Sequence, residues 1–251
     1  MQRLPLAFLL LATATLPAAE VVKSGDWDRL ENGEYLLENN VWNVAAARPG
    51  RAWRQSIFCD RATGAMGWRW DFTGEDAAVK SYPELIFGKK PFDNYRSTTP
   101  RLPRPLAACR FVIDYDYAAR ATGAYNTSTD ISLTDAPEAR ERNVRAKLMI
   151  WFDRRDMPFF PDKKKTRAVI AGRTHEVFID PDHNDVDGQW VFIALLPENL
   201  PGRGELRLAD YFDYLLKIGA VKAEWFVASV EIGSEIASGA GEVRFERFVV
   251  R

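Results

Sequence analysis

The sequence predicts an all-β protein with one α-helix, and three observations support this fold class. Short segments rich in aromatic and β-branched residues recur along the chain, and many alternate apolar with polar residues, as half-buried strands do. Turn residues, mainly glycine, proline and aspartate, separate these segments. One segment, residues 208–220, instead carries its large apolar residues at helical spacing. Many short strands with regular turns indicate a sandwich or a barrel.

The predicted strands follow one another along most of the chain, and one helix interrupts them. The strand segments read GEYLLENNVWNV, WRQSIFCD, GWRWDF, CRFVIDYDY, STDISLTD, KLMIWFD, RAVIAG, HEVFID, QWVFIALLP, EWFVASVEIG and EVRFERFVV. In LADYFDYLLKIGA, Leu208, Phe212, Leu215 and Leu216 recur at helical spacing, and Gly219 is a typical stop signal. We therefore expect a helix over about residues 208–219.

Length and composition permit a single globular domain. The chain has 251 residues, of which 47% are hydrophobic, and β-sandwiches of this length are often one domain. Its 34 basic and 35 acidic residues leave a formal net charge of −1, so no nucleic-acid partner is expected. Cys59 and Cys109 either form a disulfide or remain as two buried thiols, and the sequence leaves both alternatives open.

The first 19 residues form a predicted signal peptide. Arg3 precedes a short apolar run, which ends in the small residues Ala18 and Ala19. The run is shorter than the roughly 18 apolar residues of a membrane span. We therefore expect a secreted or periplasmic protein, without a membrane anchor, whose residues 20–251 form one domain.

The strand AKLMIWFD presents an unusual face. Successive side chains point to opposite sides of a strand, so Lys147, Met149 and Trp151 share one face, while apolar side chains occupy the other. A charge, a thioether and an indole in a row do not resemble a core face. This face is therefore a candidate functional surface.

Six motifs occur in a fixed order along the chain: ENNVWN (38–43), GWRWDF (67–72), VKSYPEL (79–85), STDISL (128–133), KLMIWF (147–152) and GSEIASG (233–239). Together they resemble glycoside hydrolase family 12, a family of endo-β-1,4-glucanases and xyloglucanases. The resemblance implies a concanavalin-like β-jelly roll, a sandwich of two curved antiparallel sheets with one packed helix and an open cleft. It also implies a monomer that needs no cofactor and takes a β-linked glucan or xyloglucan.

The resemblance assigns the catalytic positions but finds one residue replaced. Glu235 matches the general acid/base, Asp130 matches an aspartate that supports the nucleophile, and Lys147 stands where the family has the nucleophilic glutamate. A protonated lysine cannot attack the anomeric carbon, and we expect its charge to lower the pKa of Glu235. Ile236 and Ala237 also replace the Pro–Phe pair that follows the acid/base in the family.

The resemblance also suggests residues that bind the glycan. Trp42 and Trp151 match positions that stack on sugar rings, and Met149 shares the cleft face of Trp151. Asn39 is a candidate donor to a sugar hydroxyl, or else an Asx-turn residue. Asn43 departs from the family, which has glycine at this position.

Neither the histidines nor the acidic segment supports a metal site. DPDHNDVDG (180–188) lacks the acid and glycine spacing of an EF-hand, so we expect an acidic hairpin tip and no metal. His175 and His183 have no paired nucleophile and are expected to be incidental.

Three functions remain open from the sequence. The first is a glucan hydrolase with impaired or altered efficiency. The second is a non-catalytic β-glucan-binding protein on a hydrolase fold. The third is an inverting enzyme in which Asp130 acts as the base for water and Glu235 as the acid; such pairs lie about 6.5–9.5 Å apart.

Overall fold

The computed structural model describes residues 20–50, 52–76, 78–185 and 188–251. The predicted signal peptide, residues 1–19, lies outside the described residues. Among the helices that are described, none has the length and apolar character needed to cross a membrane.

Strands dominate the described residues, as the sequence predicts. They are β1 (Glu20–Lys23), β2 (Arg29–Asn32), β3 (Tyr35–Glu38), β4 (Arg54–Asp60), β5 (Met66–Phe72), β6 (Glu84–Gly88), β7 (Arg104–Pro105), β8 (Val112–Ala121), β9 (Tyr125–Thr134), β10 (Val144–Arg155), β11 (Thr166–Ile170), β12 (Arg173–Asp185), β13 (Gly188–Pro197), β14 (Arg203–Arg207), β15 (Phe226–Ile236) and β16 (Gly239–Val250). The helix α1 spans Leu208–Lys217, and three short 3-10 helices span Val44–Ala46, Leu106–Ala108 and Glu141–Asn143.

These strands form two sheets packed as a sandwich. Within the described residues, six strands form the smaller sheet in the order β1-β4-β5-β16-β8-β14. Ten form the larger sheet, nine of them in the order β11-β12-β13-β10-β9-β15-β6-β3-β2, with β7 paired to β15. The predicted all-β sandwich with one helix is therefore confirmed.

One strand pair departs from the expected antiparallel arrangement. β10 and β13 are parallel neighbours, with Lys147 opposite Phe192. β13 is antiparallel to β12, and β12 is antiparallel to β11, so β11 runs in the same direction as β10. Parallel strands need a crossover connection, and residues 156–165 must therefore carry the chain back along the larger sheet.

The alternation predicted for β10 is confirmed. Leu148 and Ile150 are fully buried in the main core, which fills the space between the two sheets. Met149 and Trp151 belong to a second apolar cluster, on the side we call the outer face, the face of the larger sheet turned away from the smaller sheet. Outer-face side chains therefore define the candidate site.

The helix begins where expected and ends slightly earlier. Its buried residues are Leu208, Tyr211, Phe212 and Leu215. Gly219, two residues beyond its end, has a φ of 74°, the left-handed conformation that glycine adopts freely and that stops a helix.

The two cysteines are buried free thiols, which resolves the alternative that the sequence left open. Burial raises the pKa of Cys109 to about 11, so this side chain remains a thiol at neutral pH.

Candidate functional site

Lys147 forms an ion pair on the outer face of the larger sheet. It projects from β10, and its Nζ lies 3.0 Å from Oδ2 of Asp130 on the neighbouring strand β9. The ammonium also lies 4.7 Å from the ring centroid of Phe92 and 5.6 Å from that of Trp190. Two residues predicted from the sequence therefore meet directly.

Lys147 remains a cation at neutral pH. Burial lowers the pKa of its ammonium, but the carboxylates of Asp130 and Glu231 outweigh burial, and the pKa is raised overall. A protonated amine has no lone pair for attack on carbon. As it stands, Lys147 is neither a nucleophile nor a general base.

Glu235 has the environment of a proton donor. It lies on β15 opposite Asn126 of β9, and the Asn126 amide donates a hydrogen bond to its carboxylate. Burial raises the pKa of Glu235, and the nearby charge of Asp130 adds to this effect. Asn126 and Lys147 both act to lower the pKa of Glu235, but their effect is smaller than that of burial and Asp130, so the pKa is raised overall. Lys147 therefore lowers the pKa of Glu235 as expected, but desolvation outweighs this effect and the net shift is upward.

The sequence reasoning missed Glu231, a buried carboxyl beside Asp130. The two residues are partners across β15 and β9, and the Ser229 hydroxyl donates to Glu231 at 2.6 Å. Burial and the charge of Glu84 hold the pKa of Glu231 well above its usual range. Alternation offered a signal: Glu231 and Glu235 are four residues apart on one strand and must share a face.

The charged residues continue from Glu231 across β6 and β3 to β2, at the edge of the larger sheet. Lys90 pairs with Glu84 of β6 and with Glu38 of β3, and Arg29 of β2 pairs with Glu38. Burial lowers the pKa of Lys90, but the surrounding carboxylates outweigh it and raise the pKa overall. Buried charges are tolerated only when paired, and each of these carboxylates has a cationic partner.

Three of the four predicted glycan-binding residues are buried. Trp151 is 2% exposed and Met149 is 5% exposed. Phe159, in the crossover segment, packs edge-on against the Trp151 indole with ring centroids 5.0 Å apart. Trp42, in contrast, is 52% exposed. Sugar stacking by Trp151 stays a prediction and requires a change in the residues that cover it.

The prediction that Asn39 donates to a sugar hydroxyl must be corrected. Its side chain is fully buried, and its amide donates to the carbonyls of Gly25 and Gln55 and accepts from the Gln55 amide. No polar atom of Asn39 remains for a sugar. The residue stabilises the chain between β3 and β4, because its side chain joins backbone groups of separate segments.

Trp151 and Trp42 should differ sharply in their effect on stability. Trp151→Ala should lower the free energy of unfolding by about 3–5 kcal/mol, because it leaves a cavity in the outer-face cluster. Trp42→Ala should change the free energy of unfolding by less than about 0.5 kcal/mol, because its ring is largely in solvent. Urea denaturation of both variants measures the difference, and equal midpoints would contradict the burial of Trp151.

Both histidines lie on β12, one buried and one in the acidic hairpin. His175 is buried and contacts the Tyr211 hydroxyl and the Arg173 carbonyl. His183 lies in the predicted acidic hairpin, formed by β12 and β13, beside Asp180. Among the described residues, no three metal-binding side chains cluster closely enough to hold an ion.

The architecture and the site define a class of protein: a two-sheet β-sandwich with paired and buried carboxylates on one face of its larger sheet, as in glycoside hydrolases of jelly-roll fold. The profile of glycosyl hydrolase family 12 matches residues 33–251. The chain therefore belongs to glycosyl hydrolase family 12.

Individual relatives agree with this assignment. The chain is 28% identical over 246 residues to endoglucanase S of Pectobacterium parmentieri, covering 96% of this chain and 90% of that protein. It is 22% identical over 233 residues to the inactive glycoside hydrolase XLP1 of Phytophthora nicotianae, covering 90% of this chain and 89% of that one. The native family 12 xyloglucanase of Bacillus licheniformis superposes with a TM-score of 0.81 at 23% identity, covering 92% and 99% of the two chains.

Proposed function

We propose that this protein recognises a β-linked glucan or xyloglucan on the outer face of its larger sheet and does not hydrolyse it by the retaining mechanism. The observation that carries the proposal is the ion pair of Lys147 with Asp130, 3.0 Å apart. In this proposal Lys147 occupies the position of the family's nucleophile. A relative over most of the chain is itself named an inactive glycoside hydrolase, which supports loss of catalysis within this fold.

The chemistry of the retaining reaction explains the loss. Retaining glycosidases place two carboxyl groups about 5–5.5 Å apart, and one of them attacks the anomeric carbon. Here the attacking position carries a cation, which also repels the positive charge that develops on the sugar in the transition state. Glu235 keeps the raised pKa of a general acid, but protonation of the leaving group alone does not supply a nucleophile.

A rearranged enzyme is the second candidate function. Oδ1 of Asp130 is buried and has no hydrogen-bond partner, while its other oxygen holds Lys147. This free oxygen favours Asp130 as a base for water, with Glu235 as the acid. Such an enzyme would invert the anomeric configuration.

A paired measurement on one panel of glucans tests both candidates. Soluble β-1,4-glucan, mixed-linkage β-glucan and xyloglucan are tested for binding by affinity electrophoresis and for cleavage by release of reducing ends. We expect binding to at least one of them and no cleavage above the blank. Brisk cleavage with inversion, abolished in Asp130→Asn, would establish the rearranged enzyme instead.

Trp42→Ala tests the binding surface, and Trp27→Ala is its matched control. Trp42→Ala should weaken binding by about 1–3 kcal/mol, the value of one buried apolar side chain. Trp27 has a similar exposure, 46% against 52%, and Trp27→Ala should leave binding unchanged. Equal losses in both variants would remove Trp42 from the site.

Export and a monomeric state stay predictions of the sequence.

A further inference from the structure

A surface cavity lies beside Lys147 and has a volume of about 850 Å³. Its lining comes from three parts of the chain: the segment after β6, the turn between β9 and β10 with the start of β10, and the start of β13, which are residues 89–94, 139–145 and 188–190. Phe92 and Trp190 line this cavity, and their ring centroids lie 4.7 and 5.6 Å from Nζ of Lys147. The cavity therefore adjoins the ion pair of Lys147 with Asp130.

Basic residues outnumber acidic residues in the lining of this cavity. Its charged residues are Lys89, Arg140, Arg142 and Arg145, which are basic, and Asp93 and Glu141, which are acidic. Four basic and two acidic residues leave the lining with a formal excess of two positive charges, whereas the whole chain has a formal net charge of −1. Charge interactions at a protein surface are screened within about 10 Å at 0.1 M salt. An anion is therefore attracted to this cavity and not to the protein as a whole.

Two of these six charges already have a partner within the protein. Arg145 pairs with Asp135, and 2.5 Å separate their Nη2 and Oδ2 atoms. Asp93 pairs with Arg29 of β2. Because each of the two charges is compensated by its partner, neither changes the attraction of the cavity for an anion by much.

Three cations of the lining have no counter-ion. Within the described residues, Lys89, Arg140 and Arg142 form no ion pair with a carboxylate. The Lys89 ammonium donates to backbone carbonyl oxygens, and the two arginines are exposed. A guanidinium group binds a carboxylate through two parallel hydrogen bonds, a geometry that few other side chains provide. These three cations are opposed by one uncompensated carboxylate, that of Glu141, and they favour a ligand with negative charge.

The other residues of the lining are suited to a sugar. Phe92 and Trp190 supply apolar ring surface, and Asn94 and Gln189 supply amide groups that donate to and accept from hydroxyl groups. Arg145 lies two residues before Lys147 on β10, so alternation places both side chains on the outer face. A glycan that lies on the outer face can therefore extend past Lys147 into the cavity.

We propose that this cavity binds carboxylate groups of the glycan, so that the protein prefers an acidic β-linked glucan to a neutral one. The inference rests on the proposed function, glucan recognition on the outer face. Oxidation of the C6 hydroxymethyl group of a glucose unit gives a carboxylate without added bulk, so neutral and acidic chains can follow the same path. The carboxylates of the outer face do not oppose this, because Asp130 is paired with Lys147, and Glu84 and Glu38 are paired with Lys90.

The affinities for two substituted β-1,4-glucans test this proposal. Carboxymethyl-glucan and hydroxyethyl-glucan of similar length and degree of substitution are titrated with the protein by calorimetry at low salt. We expect the carboxymethyl form to bind about ten-fold more tightly, because several exposed ion pairs each strengthen binding by a factor of a few. At about 1 M salt, where the Debye length is about 3 Å, this advantage should disappear.

Three results would overturn the proposal. Equal affinity for the two glucans at low salt overturns it and leaves glucan recognition intact. Failure to bind either glucan overturns glucan recognition as well. Equal affinity for carboxymethyl-glucan and for polyglutamate, which carries carboxylates but no sugar, would show that the protein is attracted to charge alone.

A double variant of the cavity supplies the second measurement. Arg140→Gln combined with Arg142→Gln should lower the ratio of the two affinities from about ten-fold to about two-fold, because two of the three unpaired cations are lost. Circular dichroism confirms that the variant folds. A folded double variant that keeps the wild-type ratio overturns the assignment of the cavity as the carboxylate site.

Two arginines of the smaller sheet provide the matched control. Arg61 follows β4 directly and Arg120 lies on β8; both are exposed, and within the described residues neither forms an ion pair. Arg61→Gln combined with Arg120→Gln removes the same total charge at a distance from the cavity. This control should keep the wild-type ratio of affinities, and an equal fall in both double variants would mean that overall charge, and not the cavity, sets the preference.

Discussion

Lys147→Glu should give this protein the ability to cleave β-1,4-glucan with retention of the anomeric configuration. The substitution removes the cation and places a carboxyl group beside Asp130, which lies 3.0 Å from the Lys147 ammonium. With two acids so close, the pKa of one must rise. Glu235, whose pKa burial already raises, then serves as the acid that protonates the leaving oxygen.

Three controls make this result specific. Lys147→Gln also removes the cation but supplies no nucleophile, and it should stay inactive. Glu235→Gln combined with Lys147→Glu should abolish the gain, since the proton donor is then lost. Retention is read by proton NMR of the first product formed. A folded Lys147→Glu protein that binds glucan yet releases no reducing ends would contradict the assignment of Lys147 to the nucleophile position.

Lys90→Met should be the most destabilising single change at a charged residue of the outer face. Its ammonium pairs with both Glu84 and Glu38, and both carboxyl side chains are almost completely buried. Breaking a buried pair by removing one partner typically costs about 3–5 kcal/mol, because the remaining charge has lost both water and its counter-ion. We expect a loss of this size in the free energy of unfolding, measured with urea.

An exposed lysine provides the control for this variant. Lys163→Met, in an exposed loop, should change the free energy of unfolding by less than about 0.5 kcal/mol. Similar losses in both lysine variants would mean that Lys90 is not held by buried carboxylates.

The pH dependence has a definite sign. The folded-state pKa of Glu231 lies well above its ordinary value of 4.5, so the folded protein holds more protons than the unfolded chain above that pH. Stability contributed by this group is therefore complete below pH 4.5 and falls as pH rises through the raised pKa. Glu231→Gln, which mimics the protonated acid, should flatten this fall. An unchanged slope would show that Glu231 is not the group responsible.

The sequence by itself determined the local structure. Alternation alone assigned Met149 and Trp151 to one face of β10 and Leu148 and Ile150 to the other, and the two separate apolar clusters confirm it. Helical spacing located α1, because an amphipathic pattern and a stop at Gly219 are properties of neighbouring residues. The order of six short motifs was enough to indicate the family, and a match over residues 33–251 confirms it.

Only the tertiary structure decided which of these residues reach solvent. Alternation of side chains along β10 predicted that Trp151 lies on the functional face. It could not predict that Phe159 covers Trp151, because that contact depends on where the crossover segment returns along the sheet. The sequence left Asn39 as a donor to a sugar hydroxyl or as an Asx-turn residue, whereas its side chain bonds Gln55 and Gly25 in the interior. The net direction of the Glu235 pKa shift was also decided by the fold, because burial outweighs the lowering by Lys147 that the sequence predicted. A spacing along the chain reports which charges are near, whereas desolvation depends on everything that packs around a carboxyl group, including segments distant in sequence.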